Sequence, residues 1–420
     1  MDYSKLLQYI LDIAEEMLVA GAEVNRVEDS IERMLCAYGC PYDRVNAFIM
    51  TINIQVTFED PDGNIITQIR SVKRNDTNFD RLDYLNDLSR YIAENSPDLE
   101  DLRARYIAVM ERPKNSKVIK YLSGALIACA FSIFFGGSFF DGLCSAAVSF
   151  LVLFLMEYLS QFSINQLAVI FITSVLSGIA SILICSLGFS NLDKVIIGEI
   201  MLMIPGIAMT NSLRDMLLGD IATGLIRLAN ALLLAGMIAL GFAVPLAFMR
   251  GLADISVLTI PTPLIVIPMR SGAFANVIQI ITAFIGCTGF AILFNMKKKQ
   301  VAWSGLGGAL AWAIYLYFTE ILGGLFIPTL LASIFVGVYS EVMARVNKAP
   351  STIFYTSVAL AMIPGSSLYY AMEDLVYKDV EGAGISANKA LTIALAISLG
   401  IVLVTIVNRI LNDLKAKRRC

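Results

Sequence analysis

An acid buried in an apolar run can carry a proton, and this chain has few such acids. Glu199 lies six residues before Pro205, inside the apolar run Val195–Met203. Six residues of helix span roughly 9 Å. Carboxylates within an apolar span are costly and mark ion or substrate paths. The chain has no His, the side chain that ordinarily titrates near neutral pH. Glu199 is therefore the first candidate for a proton-coupling carboxylate. Glu157 and Glu320 are further candidates. They sit near the ends of apolar runs, where snorkelling toward water explains them equally well.

A second constellation is a repeated tetrapeptide. Met203-Ile204-Pro205-Gly206 recurs as Met362-Ile363-Pro364-Gly365, an offset of 159. Proline removes a backbone donor and clashes with the preceding turn, so each copy breaks a helix. Within lipid, the freed backbone groups must be met by protein or by a water-lined cavity. Broken helices at matching positions of two halves point to a substrate site. The N–H groups of Gly206, Ile207, Gly365 and Ser366 could hold a carboxylate. The hydroxyl and amide groups of Thr210, Asn211, Ser212, Ser366, Ser367, Tyr369 and Tyr370 could read an amino or hydroxyl group. Together with Pro205 and Pro364 these are the candidate substrate-binding residues. The plainer alternative is a pair of proline kinks that only shape packing.

The rest of the chain must position these residues. Of 420 residues 57% are hydrophobic and 16% charged, against roughly 45–50% and about 25% in soluble domains. Mean hydropathy is +0.70. This composition excludes a disordered chain, a nucleic-acid binder and an ordinary soluble enzyme. Charge is segregated. Residues 1–112 hold 12 Lys/Arg and 21 Asp/Glu, and the remainder 20 and 14. An acidic soluble domain over 1–112 therefore precedes a membrane part. The seven Cys show no zinc spacing and read as reduced thiols. Neither a metal site, a cofactor motif nor a Walker motif is present, and no nucleophile–base set stands out for catalysis.

Within 1–112, helical periodicity predicts helices over about 6–20 and 24–38. Alternation from Phe48 to Phe58 predicts a strand, Asp60-Pro61-Asp62-Gly63-Asn64 a turn, and 65–72 the return strand. Two polar helices follow, near 78–94 and 98–110, giving an α+β domain. The stretch Gly21-Ala22-Glu23-Val24-Asn25-Arg26-Val27-Glu28 resembles the corresponding segment of the threonine/serine exporter family. The similarity continues through Arg33, Tyr38-Gly39 and the hairpin, and the apolar half also fits. The resemblance implies efflux of threonine and serine. Split, two-chain relatives imply dicarboxylate (succinate) export as the alternative. Glu23, Arg26 and Glu28 have two readings: ion pairs within their own helix, or a gating surface of the N-terminal domain. A membrane-anchored sensor or hydrolase acting through 1–112 is the alternative from another class.

A spanning helix needs about 20 apolar residues. Ten are expected: 118–136, 140–159, 166–187, 194–212, 224–248, 271–295, 301–319, 323–344, 352–371 and 387–410. With the N-terminus in the cytoplasm, the 20 Lys and Arg of residues 113–420 divide 15 inside to 5 outside, as the positive-inside rule requires. The offset of 159 also relates Asp215 to Asp374, Asp220 to Asp379, Ala231 to Ala390 and Gly241 to Gly400. Gly142 and Glu157 match Gly305 and Glu320 at an offset of 163. Two five-helix copies result, over 113–248 and 271–412. They are joined by 249–270 and followed by a basic cytosolic tail, 413–420. Five is odd, so the copies insert in opposite directions. The expected fold is thus membrane all-α, ten transmembrane helices as two inverted repeats, with an N-terminal α+β cytosolic domain. The expected function is proton-coupled secondary export from the cell (inner) membrane, with both termini cytoplasmic. The expected partners are a small polar substrate, protons, the lipid bilayer and, through the N-terminal domain, a second copy of the chain.

Overall fold

The computed structural model describes residues 2–50, 53–72, 76–203, 205–254, 272–376 and 378–417. Ile204, Arg270, Cys420 and most of the expected 249–270 connection lie outside the described residues. The chain divides into two units. One gathers residues 1–115 with 294–298 and 344–353, and the other holds 116–293, 299–343 and 354–420.

The first unit contains helices α1 (Tyr3–Val19), α2 (Val24–Ala37), α3 (Phe79–Asn95) and α4 (Leu99–Met110), and strands β1 (Val45–Met50), β2 (Asn53–Glu59) and β3 (Ile65–Ser71). Asp2 caps α1 by accepting from the Lys5 N–H at 3.0 Å. Its apolar stripe of Leu6, Leu7, Ile10, Ile13, Ala14 and Met17 is fully buried. Gly21 takes a φ of +104°, open to glycine at little cost, and separates α1 from α2. Arg81 and Glu16 tie α3 to α1 through a buried ion pair at 3.0 Å.

The strand expected over Phe48–Phe58 is two strands. β1 and β2 are antiparallel, with Met50 opposite Asn53, and β3 pairs on the other side of β2. The correction has a simple cause. A period of two runs unbroken through both arms of a hairpin, and this one carries no Asn-Gly or Asp-Gly to mark its corner. Ile54, Val56 and Phe58 of β2 are fully buried, while Asn53 and Gln55 face out. At the next corner, Asp60 accepts from Asn64 side chain and backbone and from Asp62 N–H. These bonds, the Asn64 side chain first, hold its carboxyl below the usual value.

The remaining helices are α5 (Lys117–Phe134), α6 (Phe139–Leu159), α7 (Gln166–Cys185), α8 (Leu192–Met203), α9 (Gly206–Leu217), α10 (Ile221–Asp254), α11 (Ala273–Leu293), α12 (Lys298–Leu322), α13 (Phe326–Asn347), α14 (Ser351–Ala359), α15 (Gly365–Val376) and α16 (Val380–Lys417). Among the described residues, eight helices are long and apolar enough to cross a membrane: α5, α6, α7, α10, α11, α12, α13 and α16. The other two expected spans, 194–212 and 352–371, are each a pair of short helices interrupted at the Ile-Pro-Gly sequence. In the second unit, α5 packs on α6, α8 and α11, while α7 packs on α10. The half-helices α9 and α15 each pack on both α10 and α16.

Residues related by the offset of 159 make like contacts. A side chain at Gly241 would run into Ser174, and one at Gly400 into Ser333. Gly178 lies against Pro245, and Gly337 against Val404. The Asp220 N–H donates to the Asp215 carbonyl at 2.9 Å, and Asp379 to Asp374 at 2.8 Å. One apolar cluster contains Met209 with Leu368, Ala231 with Ala390 and Ala235 with Ala394, three pairs at that same offset.

These glycines set the helix separation. Gly400→Leu should cost roughly 3 kcal/mol or more, because backbone as well as Ser333 must move. Gly384, which has nothing within 4 Å of an added Cβ, should accept Ala with no loss. Thermal unfolding of the detergent-solubilised protein separates the two.

Candidate functional site

Pro205 stands at the N-cap of α9, with φ −81° and ψ 39°. Its carbonyl accepts from the Met209 N–H at 3.0 Å, and the Pro364 carbonyl accepts from Leu368 at the same distance. The two breaks thus restart their helices in the same way. The second is longer: α14 ends at Ala359 and α15 begins at Gly365. The intervening Leu360, Ala361, Met362 and Ile363 are all buried.

A cavity of about 130 Å³ opens at the second break. Pro364, Ser366 and Ser367 line it, with Phe134 and Phe135 from the end of α5, Trp312 and Tyr315 from α12, and Thr329 from α13. The rings form a continuous wall. Phe134 and Trp312 have centroids 4.6 Å apart, and Trp312 and Tyr315 4.7 Å. Gln279 on α11 fixes the indole, accepting from Trp312 Nε1 at 3.3 Å. Among the described residues, no Lys, Arg, Asp or Glu lines the cavity.

The other expected substrate residues lie elsewhere. Thr210 is buried, its carbonyl accepts from Ser398 Oγ at 2.9 Å, and its own hydroxyl has no partner among the described residues. Ser212 is fully buried and donates to the Met209 carbonyl. Asn211 is half-buried, and Gly206 and Ile207 open α9. Gly365 opens α15 and is buried. Tyr369 donates to Glu373, and its ring packs in a core with Ile200, Met203 and Phe242. Tyr370 donates to Asp193, at the start of α8, at 3.1 Å. Sequence reasoning missed the aromatic wall. The Trp312-x-x-Tyr315 spacing in an apolar run was its one visible signal.

Of the three candidate coupling acids, Glu199 is fully buried and accepts from Ser181 Oγ at 2.8 Å. Glu157 is held by Lys117 at 2.6 Å and Lys120 at 3.3 Å, and Glu320 is exposed. In the first unit, Glu23 accepts from Thr352 Oγ1 at 2.8 Å and Arg26 reaches Ser351 Oγ at 3.5 Å. Glu28 accepts from the Ile49 N–H at 3.2 Å.

Comparison with known proteins then decides the family. A model described as "Putative threonine/serine exporter" matches residues 8–249. A second, "Threonine/Serine exporter, ThrE", matches 279–407. The chain belongs to the threonine/serine exporter family. This exporter-family chain is similar to a Mycobacterium tuberculosis protein called "Probable threonine/serine exporter", at 22% identity over 95% of this chain and 75% of the relative. It is also similar to a Corynebacterium glutamicum "Threonine/serine exporter", at 22% identity over 93% and 80%. No solved structure matches it. It is a multi-pass membrane transporter, not an enzyme.

Proposed function

We propose that this protein exports threonine and serine, taking the amino acid into the cavity at the Pro364 break. The observation that carries the proposal is the lining itself: among the described residues, aromatic rings and neutral hydroxyls without a charged side chain. An α-ammonium group fits beside Trp312, Tyr315 and Phe134, where a desolvated cation–π contact contributes about 2 kcal/mol. The substrate carboxylate fits the N–H groups at the start of α15. The hydroxyls of Ser366, Ser367 and Thr329 stand where a substrate hydroxyl needs partners. A dicarboxylate brings two negative charges to a pocket that offers no cation, so the amino acid is the better fit. Pro205, Gly206, Ile207, Thr210, Asn211 and Ser212 form the counterpart at the other break, and Tyr369 and Tyr370 flank it.

Ten spans in two inverted five-helix copies suit this function, since two such copies can open alternately to either side. The like contacts at matched positions support the repeat, and so does the core shared by α9 and α15. The lysine- and arginine-rich flanks support a reading in which both termini are cytoplasmic and the protein sits in the cell membrane. Export is coupled to a small cation through Glu199, and the lack of His makes the proton on this carboxylate the first reading. Glu23 and Arg26 hold the first turn of α14, the helix that leads to the second break, which suits a gating role for residues 1–112. Counterflow of labelled threonine, serine and succinate in proteoliposomes tests the proposal. Threonine and serine should exchange and succinate should not; exchange of succinate alone would overturn it.

A further inference from the structure

Four fully buried polar side chains meet around α8 in the first half of the membrane part without enough partners. Glu199 Oε2, Ser177 Oγ, Thr173 Oγ1 and Ser132 Oγ have no hydrogen bond among the described residues. All four residues are 0% exposed. Hydroxyls in spanning helices usually return their proton to a carbonyl one turn back, as Ser149, Ser333 and Ser340 do here. Thr173 and Ser177 make no such bond. A buried polar group left unsatisfied costs about 1–3 kcal/mol, so a cluster of them calls for an explanation.

The geometry gathers them. Thr173, Ser177 and Ser181 stand four residues apart, on one face of α7. Ser181 reaches Glu199 Oε1 at 2.8 Å, and Ser174, on the adjoining face, reaches Met203 Sδ at 3.8 Å. The stripe therefore runs along α8 from Glu199 toward the first break. Ser132 of α5 lies against Gly198, next to Glu199. Ser181 has one hydroxyl proton but stands 2.8 Å from two acceptors, Glu199 Oε1 and the Ser177 carbonyl. A proton or other small cation at the carboxylate satisfies both contacts.

The second half provides an internal control. The offset of 159 maps Thr173, Ser177 and Glu199 onto Ala332, Val336 and Val358. All three are 0% exposed and belong to one apolar core. Ser181 maps onto Ser340, which donates to the Val336 carbonyl as Ser181 does to Ser177. The same packing is thus made with aliphatic side chains in one copy and with oxygens in the other. Packing does not require the oxygens.

We propose that Glu199 and Ser181 hold the coupling ion, a small monovalent cation, and that Ser177 and Thr173, one and two turns farther along α7, continue its path, in the first half alone. The assignment rests on the coupled export proposed above and locates its ion. Oxygen-only ligands with one carboxylate suit a proton, carried on the acid and passed along hydroxyls, or a sodium ion, which takes hard oxygen donors. No Lys or Arg pairs with Glu199 among the described residues. Among the described residues, Cys185 on α7 faces Glu199 and in turn neighbours Asp141 and Cys144 on α6; Tyr369 on α15 packs in the core with Ile200, its hydroxyl going to Glu373. One site in two copies means one ion per transport cycle.

The test uses the full chain in proteoliposomes, with Thr173→Val combined with Ser177→Ala, and Ser177→Ala alone. Uphill threonine export is driven by a pH gradient at equal sodium, then by a sodium gradient at equal pH. The gradient that drives the parent names the ion; if neither does, the proposal falls. The double variant should lose uphill export at least tenfold, keep counterflow within about twofold and unfold at no lower temperature than the parent. Ser177→Ala alone should shift the ion concentration for half-maximal drive upward at least threefold. Unchanged uphill export in the double variant overturns the site. If Glu199→Gln loses uphill export in that same experiment, carboxylate coupling stands without the hydroxyls; if it does not, both fall. Loss of counterflow in a stably folded double variant places the hydroxyls on the substrate path and also overturns the site.

Discussion

Glu199→Gln should abolish uphill export, by about 100-fold or more, while counterflow stays within a few-fold of the parent. The substitution preserves shape and volume. Ser181 can still donate, now to the amide oxygen in place of Glu199 Oε1. The amide cannot bind and release a charge, so the substrate path remains and the coupled ion is lost. The protein should fold at least as well, since burying an ionisable group is expensive and burying an amide less so. Counterflow needs only binding and reorientation. Accumulation against a gradient needs the ion. Parallel measurement of both in one proteoliposome preparation decides the matter, and parental uphill export would remove Glu199 from the mechanism. Glu157 serves as the control. Its two lysines, at 2.6 and 3.3 Å, mark a surface clamp, and Glu157→Gln should leave coupling intact.

The second large effect belongs to the cavity. Ser367→Leu should raise the half-saturating threonine concentration about 100-fold, equivalent to about 2.7 kcal/mol. Ser367 lines a cavity of about 130 Å³. A leucine there both fills space and removes a hydroxyl. Trp312→Leu should act more mildly, by roughly tenfold, because it removes a cation–π contact but keeps the wall apolar. That loss should appear for substrates with an ammonium group. Counterflow titrations give both numbers. A Ser367→Leu protein with unaltered half-saturation would place the substrate elsewhere, and the Thr210 region at the other break would be next.

The elements were legible wherever neighbours in sequence decide the conformation. Apolar runs of about 20 residues mark α5, α6, α7, α10, α11, α12, α13 and α16. The two prolines mark the broken helices, because a missing N–H and a steric clash act within one turn. The β1–β2 corner escaped, since nothing in the chain around Met50 and Asn53 announces a reversal. Glu199 was legible because a carboxylate among apolar neighbours is an exception that composition alone exposes.

What the amino-acid order determined by itself is therefore the membrane class, the two breaks and the buried acid, each a property of a short window. The tertiary structure decided which side chains meet. Phe134, Trp312, Thr329 and Ser367 come from four different helices and share a cavity only once those helices pack. Thr173, Ser177 and Glu199 became a cluster only when α7 and α8 were laid side by side. The positions at the offset of 159, Ala332, Val336 and Val358, lie in an apolar core instead, which shows why. Periodicity reports which face of a helix turns inward, but what that face meets depends on the neighbouring helix.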